Sequence, residues 1–231
     1  LDSTSLAIDL HYMLNLDMPK IEKAFHYFDN RQICETGFYY EDYVGKLDQT
    51  QNRFLEIAGT YLGFQIGAIY LHYNQKPKYF YNFYKQFLHS GAMGDYMTNK
   101  MPWGIAPTGA GGMVDHAATM MRCNIKYGEK KYKNVINEMY SWLNKNQNPK
   151  TGLWGNENAR GKAGLILAGY HLMRGMYFMD NITPQYPEKI IDTILESLME
   201  TDLLQSGKGE GCHDMDHFVS LERLFTFTDG S

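Results

Sequence analysis

The sequence predicts an all-α fold, a ring or partial ring of helical hairpins of the α/α toroid type, on three observations. In several stretches apolar residues recur with the period of an amphipathic helix. Between them lie segments that are apolar nearly all round and rich in glycine and alanine, as helices buried on most sides are. The loops also repeat, since Thr36-Gly37-Phe38-Tyr39 and Thr151-Gly152-Leu153-Trp154 share a Thr-Gly-apolar-aromatic pattern. With Gly94 and Gly207 placed in the corresponding loops, the glycines recur about every 55 to 58 residues. That period suits a two-helix hairpin with a long loop, so about four hairpins are expected.

Taken in order, Leu6, Leu10, Met13 and Leu14 read as a helix already under way at Leu1, which points to a longer chain. Phe54 to Tyr73 is the first helix that is apolar all round. After Pro77 the spacing of Phe80, Phe83, Tyr84, Phe87 and Leu88 predicts an amphipathic helix. Met113 to Tyr127 is a shorter buried helix. After Gly128 a wet-faced helix follows on Tyr132, Val135, Ile136, Met139, Trp142 and Leu143. Gly161 to Met179 is buried again, and after Pro187 the stripe is Ile190, Ile191, Ile194, Leu195, Leu198 and Met199. Pro77 and Pro187 stand at helix starts, where the missing N–H costs nothing. Wet and dry helices therefore alternate, as an outer and an inner ring require. No linker interrupts residues 1–231, which read as one domain.

Composition narrows the function classes. A net charge of −4 gives no general attraction to nucleic acid or to an anionic membrane. No apolar run is long enough for a transmembrane helix, so a soluble chain is expected. The three cysteines, Cys34, Cys123 and Cys212, are odd in number and far apart, which suggests reduced thiols and a cytoplasmic rather than a secreted chain. Aromatic residues reach 14%, an excess that fits either core packing or a pocket that stacks flat ligands.

The links point to where chemistry would sit. Those from inner to outer helices, such as Asn74 to Lys76, are short. Those from outer to inner helices are long and rich in polar and aromatic residues. With parallel inner helices all the long links emerge at one mouth, the expected site for a small-molecule or oligosaccharide ligand. Helix N-termini there favour an anionic one. The richest link runs through Cys212, His213, Asp214, Met215, Asp216 and His217. If a helix starts near His213, one of the two aspartates caps it and the other points into the cavity, Asp216 being the expected acid or base. His213 and His217 are candidate ligands of a divalent metal, with further ligands needed from another loop. A plain helix start with solvated histidines is the alternative. In a second link the glycines from Gly109 to Gly112 let backbone approach a ligand, and Asp115 and His116 open the next helix as an acid–base pair or as metal ligands. Trp103 and Trp154 offer aromatic faces, Tyr39 and Tyr40 line a further link, and Glu157 and Arg160 could pair with a ligand's polar groups. His72, His89 and His171 fall inside helices and read as packing residues.

The segment Trp142-Leu143-Asn144-Lys145-Asn146-Gln147-Asn148-Pro149-Lys150-Thr151-Gly152-Leu153-Trp154-Gly155 resembles the repeat turn of the terpenoid cyclase and protein prenyltransferase superfamily. Glycan hydrolases and lyases with helical-hairpin barrels have similar turns. The resemblance implies an α/α toroid. Asp214 and Asp216 resemble part of the Asp-x-Asp-Asp motif that protonates the polyene in one class of cyclase, with His217 in the fourth position here. The prenyltransferase zinc pattern is not matched, because Cys212 precedes the aspartates. Three function classes follow. The first is a cyclase-like enzyme with acid-initiated chemistry in an aromatic cavity. The second is a glycan hydrolase or lyase using paired carboxylates beside a sugar stacked on tryptophan. The third is a non-catalytic binding toroid.

Overall fold

The computed structural model describes residues 4–5, 7–8, 11, 14, 20–40, 52–156, 161–200 and 212–228, with 52–60 and 212–214 described by backbone alone. The described residues are predominantly helical, and no strand occurs among them. The helices are α1 (Ile21–Asp29), α2 (Asn52–His72), α3 (Ala92–Asn99), α4 (Pro107–Lys126) and α5 (Tyr132–Asn146). They continue with α6 (Gly161–Leu172), prolonged by a π-helical turn at Met173–Phe178, then α7 (Pro187–Glu200) and α8 (Cys212–Phe227). None of the described helices is long and apolar enough to cross a membrane.

The periodicity of the sequence maps closely onto burial. Every residue from Gly164 to Tyr170 is buried, as an apolar face on all sides requires. On α5 the buried stripe is Tyr132, Val135, Ile136, Met139 and Leu143. On α7 the stripe is turned relative to expectation. Ile190, Ile191 and Ile194 are buried with Thr193 and Ser197, whereas Leu195 and Met199 are 42% and 88% exposed. The Thr193 hydroxyl donates to the Thr151 carbonyl at 2.9 Å, which draws that polar face inward.

Three helices end in the same way. Asn74, Gly128 and Asn181 carry positive φ, 54 and 53 residues apart. At each, the next N–H reaches back five residues over 2.9 Å: Gln75 to Tyr70, Glu129 to Asn124, Ile182 to Tyr177. This left-handed cap satisfies carbonyls that the helix end would leave bare. The hairpin period is therefore marked by helix ends rather than by Gly94, which lies inside α3 and lacks positive φ. Gly207 lies outside the described residues.

Contacts gather the chain into two compact units, Leu1–Ala92 with His116–Ile136, and Met93–Asp115 with Asn137–Ser231. In the first, α1 and α2 are antiparallel: Phe25 packs on Tyr73 and Tyr70, and the Tyr70 hydroxyl donates to Asp29 at 2.6 Å. The second half of α4 runs parallel to α2, with His116 on Phe64 and Lys126 Nζ on the Leu71 carbonyl at 2.9 Å. The helix expected from Pro77 is not formed. The Asn124 side chain holds both backbone groups of Tyr81, at 2.9 and 3.2 Å, and Gln32 holds Tyr79. Only a 3₁₀ helix at Asn82–Phe87 fits before the turn at Gly91.

In the second unit, α5 and α6 are antiparallel. The Tyr140 hydroxyl reaches Asp180 at 2.9 Å, and the Tyr177 hydroxyl reaches Asn144, one turn further along α5, at 2.9 Å. The first half of α4 runs parallel to α6. Thr108 donates to the Gly164 carbonyl at 3.0 Å, and a Cβ on Gly111 would lie 2.6 Å from the Ala168 carbonyl oxygen. The Gly109–Gly112 run, expected as a loop, is helical, and of its glycines Gly111 is the one in close contact with another helix. The close packing it permits outweighs glycine's poor helix propensity. Helices α6, α7 and α8 pack on one another.

Candidate functional site

The repeated loops prove to be one hydrogen-bonded device used twice, each time within its own unit. Gln32 Nε2 donates to the Gly37 carbonyl at 2.9 Å, and Gln147 Nε2 to the Gly152 carbonyl at 2.8 Å. The Oε1 atoms accept from Tyr79 N–H at 2.7 Å and from Gln185 N–H at 3.0 Å. Thr36 and Thr151 accept from the N–H groups of Phe38 and Leu153 at 3.1 and 3.2 Å. Gly37 and Gly152 have φ of 79° and 70°, a conformation that favours glycine. The aromatic residue that closes each turn faces the core. Trp154 has no exposed surface, stacks on Tyr177 and donates Nε1–H to the Leu143 carbonyl at 2.8 Å. Tyr39 is buried beside Tyr81, and burial pushes its hydroxyl pKa well up. The expectation that these two residues line a ligand site is corrected: they are core plugs, because the turn's own bonds point them inward.

The charged cluster of the second unit lies elsewhere. Asp115 does not open a helix. It is the ninth residue of α4, roughly 12 Å from the helix start at 1.5 Å per residue. Its carboxylate is 1% exposed and pairs with Arg174 through Nε at 2.8 Å and through Nη2, both on Oδ2. His171 Nδ1 lies 3.3 Å from the same oxygen and 3.3 Å from Arg174 Nη2. Arg174 is on the π turn, a feature frequent at functional sites. Beside it Gly175 packs directly on Asp115, where any Cβ would overlap the carboxylate. Burial works against the Arg174 charge, but the neighbouring Asp115 carboxylate overrides it and the pKa is raised. The acid is therefore inside, while its two partners are partly exposed: His171 is 24% and Arg174 35% exposed.

This cluster corrects two expectations. The histidine beside Asp115 in space is His171, taken from the sequence as a packing residue. His116, next to Asp115 in the chain, stacks instead on Phe64 at 4.7 Å and meets Tyr61 edge-on. Consecutive residues on a helix point about 100° apart, so they rarely share a target. The signal in the sequence is a pair of polar titratable residues three apart, His171 and Arg174, in the apolar stretch that follows Lys162.

The remaining candidates divide. Trp103 is half-buried, stacks on Trp142 at 5.0 Å and donates to the Met97 carbonyl at 2.8 Å. Its backbone carbonyl lies against Gly155 and accepts from Asn156 N–H at 3.4 Å, so the Trp103 loop and the end of the Trp154 turn do meet. Tyr40 is exposed. Glu157 and Arg160 lie outside the described residues, as do the side chains of His213 and Asp214. Because α8 starts at Cys212, Asp214 is its third residue rather than its cap. Asp216 and His217 are buried with Ser220, Leu221 and Leu224 on one face of α8. Among the described residues no group of three His, Cys, Asp or Glu side chains is placed to hold a metal ion.

The arrangement can bind an anion and can pass a proton: a buried carboxylate fixes a partly exposed imidazole and guanidinium side by side. Comparison with known protein families, with curated proteins and with solved structures finds no match for this chain.

Proposed function

We propose that the hairpins close into an α/α toroid and that the chain is an enzyme acting on an acidic oligosaccharide, with the Asp115–His171–Arg174 cluster in its site. The directions of the helices support the toroid. Antiparallel outer and inner partners, with parallel inner neighbours, are the pairings that such a ring repeats. One observation carries the choice of substrate class. The buried member of the cluster is the acid and the partly exposed Arg174 guanidinium is cationic, so the face offered to a ligand favours negative charge. The burial of Trp154 removes one of the two expected sugar platforms but leaves this electrostatic argument intact.

The test is a screen of the purified protein against uronate-containing oligosaccharides and, in parallel, isoprenoid diphosphates. Reducing-end release or formation of an unsaturated uronate is the expected result. Consumption of an isoprenoid diphosphate alone would replace this reading with the cyclase-like one. That second reading is supported by Asp216, a carboxyl withdrawn from water on the face of α8 that also buries Leu221 and Leu224, as an acid that protonates a polyene has to be.

A further inference from the structure

We propose that His171 is the proton-transfer residue of this site through Nε2, with Asp115 positioning its ring and Arg174 receiving an oxyanion of the ligand. The inference rests on the acidic-ligand reading above and assigns atoms to it. Nδ1 lies 3.3 Å from both Asp115 Oδ2 and Arg174 Nη2. Only one of these can be its hydrogen bond, because a protonated Nδ1 donates to the carboxylate and a bare Nδ1 accepts from the guanidinium. Both bonds would be charge-assisted, but a bare Nδ1 would set its lone pair 3.3 Å from the anionic Oδ2, the oxygen to which Arg174 already directs Nε and Nη2. Nδ1–H therefore donates to Oδ2 and the lone pair resides on Nε2.

That atom makes no hydrogen bond to the described residues, and the side chain is 24% exposed. A carboxylate behind an imidazole fixes both tautomer and orientation, as it does for metal-bound and catalytic histidines. The frame is rigid, since Asp115 is buried, tied to Arg174 and packed on Gly175. In the working step the lone pair of Nε2 takes the proton on the carbon beside the ligand's carboxylate. The C–H electron pair stays on the ligand as a carboxylate-stabilised anion, which faces Arg174. That pair then forms a C=C bond as the C–O bond to the leaving sugar breaks, with the C–O electron pair going to that oxygen. The imidazolium shares its charge with Asp115 and returns the proton from Nε2 to the departing oxygen.

The experiment reads the imidazole nitrogens of the ¹⁵N-labelled wild-type protein by NMR at neutral pH, with His171→Gln used to assign the signals. A protonated Nδ1 and a bare Nε2 are expected. The opposite tautomer overturns the proposal. Titration with glucuronate, inorganic phosphate and glucose follows. A shift of Nε2 with glucuronate identifies a carboxylate as the group received, and a shift with phosphate identifies a phosphoryl group. No shift with either, or an equal one with glucose, overturns the proposal. Arg174→Lys keeps the charge but loses the fork and is expected to weaken the oxyanion response about tenfold, or 1.4 kcal/mol. Unchanged binding removes Arg174 from the assignment. Turnover of an acidic oligosaccharide that survives His171→Gln overturns this inference alone. An Nε2 response in a protein that turns over no substrate sinks the enzyme reading alone.

Discussion

The turn that ends at Tyr39 and the turn that ends at Trp154 are framed by the same bonds and filled by different side chains. In both, a glutamine ties the turn's carbonyl to a distant N–H, a threonine caps the turn, and a glycine takes the left-handed conformation. The antiparallel partners correspond too, with Tyr70 on Asp29 in one unit and Tyr177 on Asn144 in the other. The differences lie in the filling. Gln32 makes a third bond, to the Tyr79 carbonyl at 2.8 Å, and Trp154 satisfies its donor on Leu143. Cys34 stands where the second turn has Pro149. Frame residues are thus fixed by backbone groups that must be paired, while plugs need only fill volume: Trp154 pairs its donor and, among the described residues, the buried Tyr39 hydroxyl does not.

The comparison can be broken most forcefully at the plug. Trp154→Ala removes a fully buried indole and leaves the Leu143 carbonyl without its donor, so a loss of about 3–5 kcal/mol is expected in denaturant melts. Tyr39→Phe, which keeps the ring, should cost far less. Comparable losses would mean that the two plugs are not equivalent fillers. Next come the frames. Gln32→Ala and Gln147→Ala each strand buried backbone groups, at about 1–3 kcal/mol each. Gln32 should cost more, because it makes three of these bonds to Gln147's two. The reverse order would place the first turn's stability elsewhere.

The smallest effect sharpens the same contrast. Cys34 is exposed at the tip of the first turn, whereas burial pushes the Cys123 thiol up to about 12. The thiolate is the reactive form, so iodoacetamide should label Cys34 in the folded protein and reach Cys123 only on unfolding. Because Cys34 is not part of the frame, the labelled protein should melt as the unlabelled one does. Peptide mass spectrometry and a thermal melt read both outcomes.

What the sequence disclosed follows from which interactions are local. The stripe on α5 and the all-round burial of α6 are set by neighbours within a helix, and their spacing is legible. So is the Thr-Gly turn, whose left-handed glycine is a local demand. Residues 77–88 misled because their conformation is held by Asn124 and Gln32, more than forty positions away in the chain. The Gly109–Gly112 run misled because Ala168, on another helix, decides that close packing outweighs propensity. At the site, Asp115 is legible in the sequence but its partners are not. Pairing with His171 and Arg174 across 56 and 59 residues is a tertiary fact that no spacing along one helix encodes. Trp154 is legible as a special residue but its role is not, since an aromatic that closes a turn looks the same in sequence whether it faces ligand or core.

The recurring helix ends at Asn74, Gly128 and Asn181 carry a consequence for the way the chain finds its structure. Bonds between successive hairpins span 43 residues from Tyr81 to Asn124, 56 from Thr108 to Gly164 and 59 from Asp115 to Arg174. The entropy of closing a loop grows only with the logarithm of its length, about 0.6 kcal/mol per doubling, so these closures cost nearly the same. No hairpin is then a privileged nucleus on entropic grounds. Ordering can begin at whichever helix pair docks first and spread to its neighbours, as it does in repeat arrays. Amide exchange from the native protein should accordingly release protons in hairpin-sized groups rather than all at once.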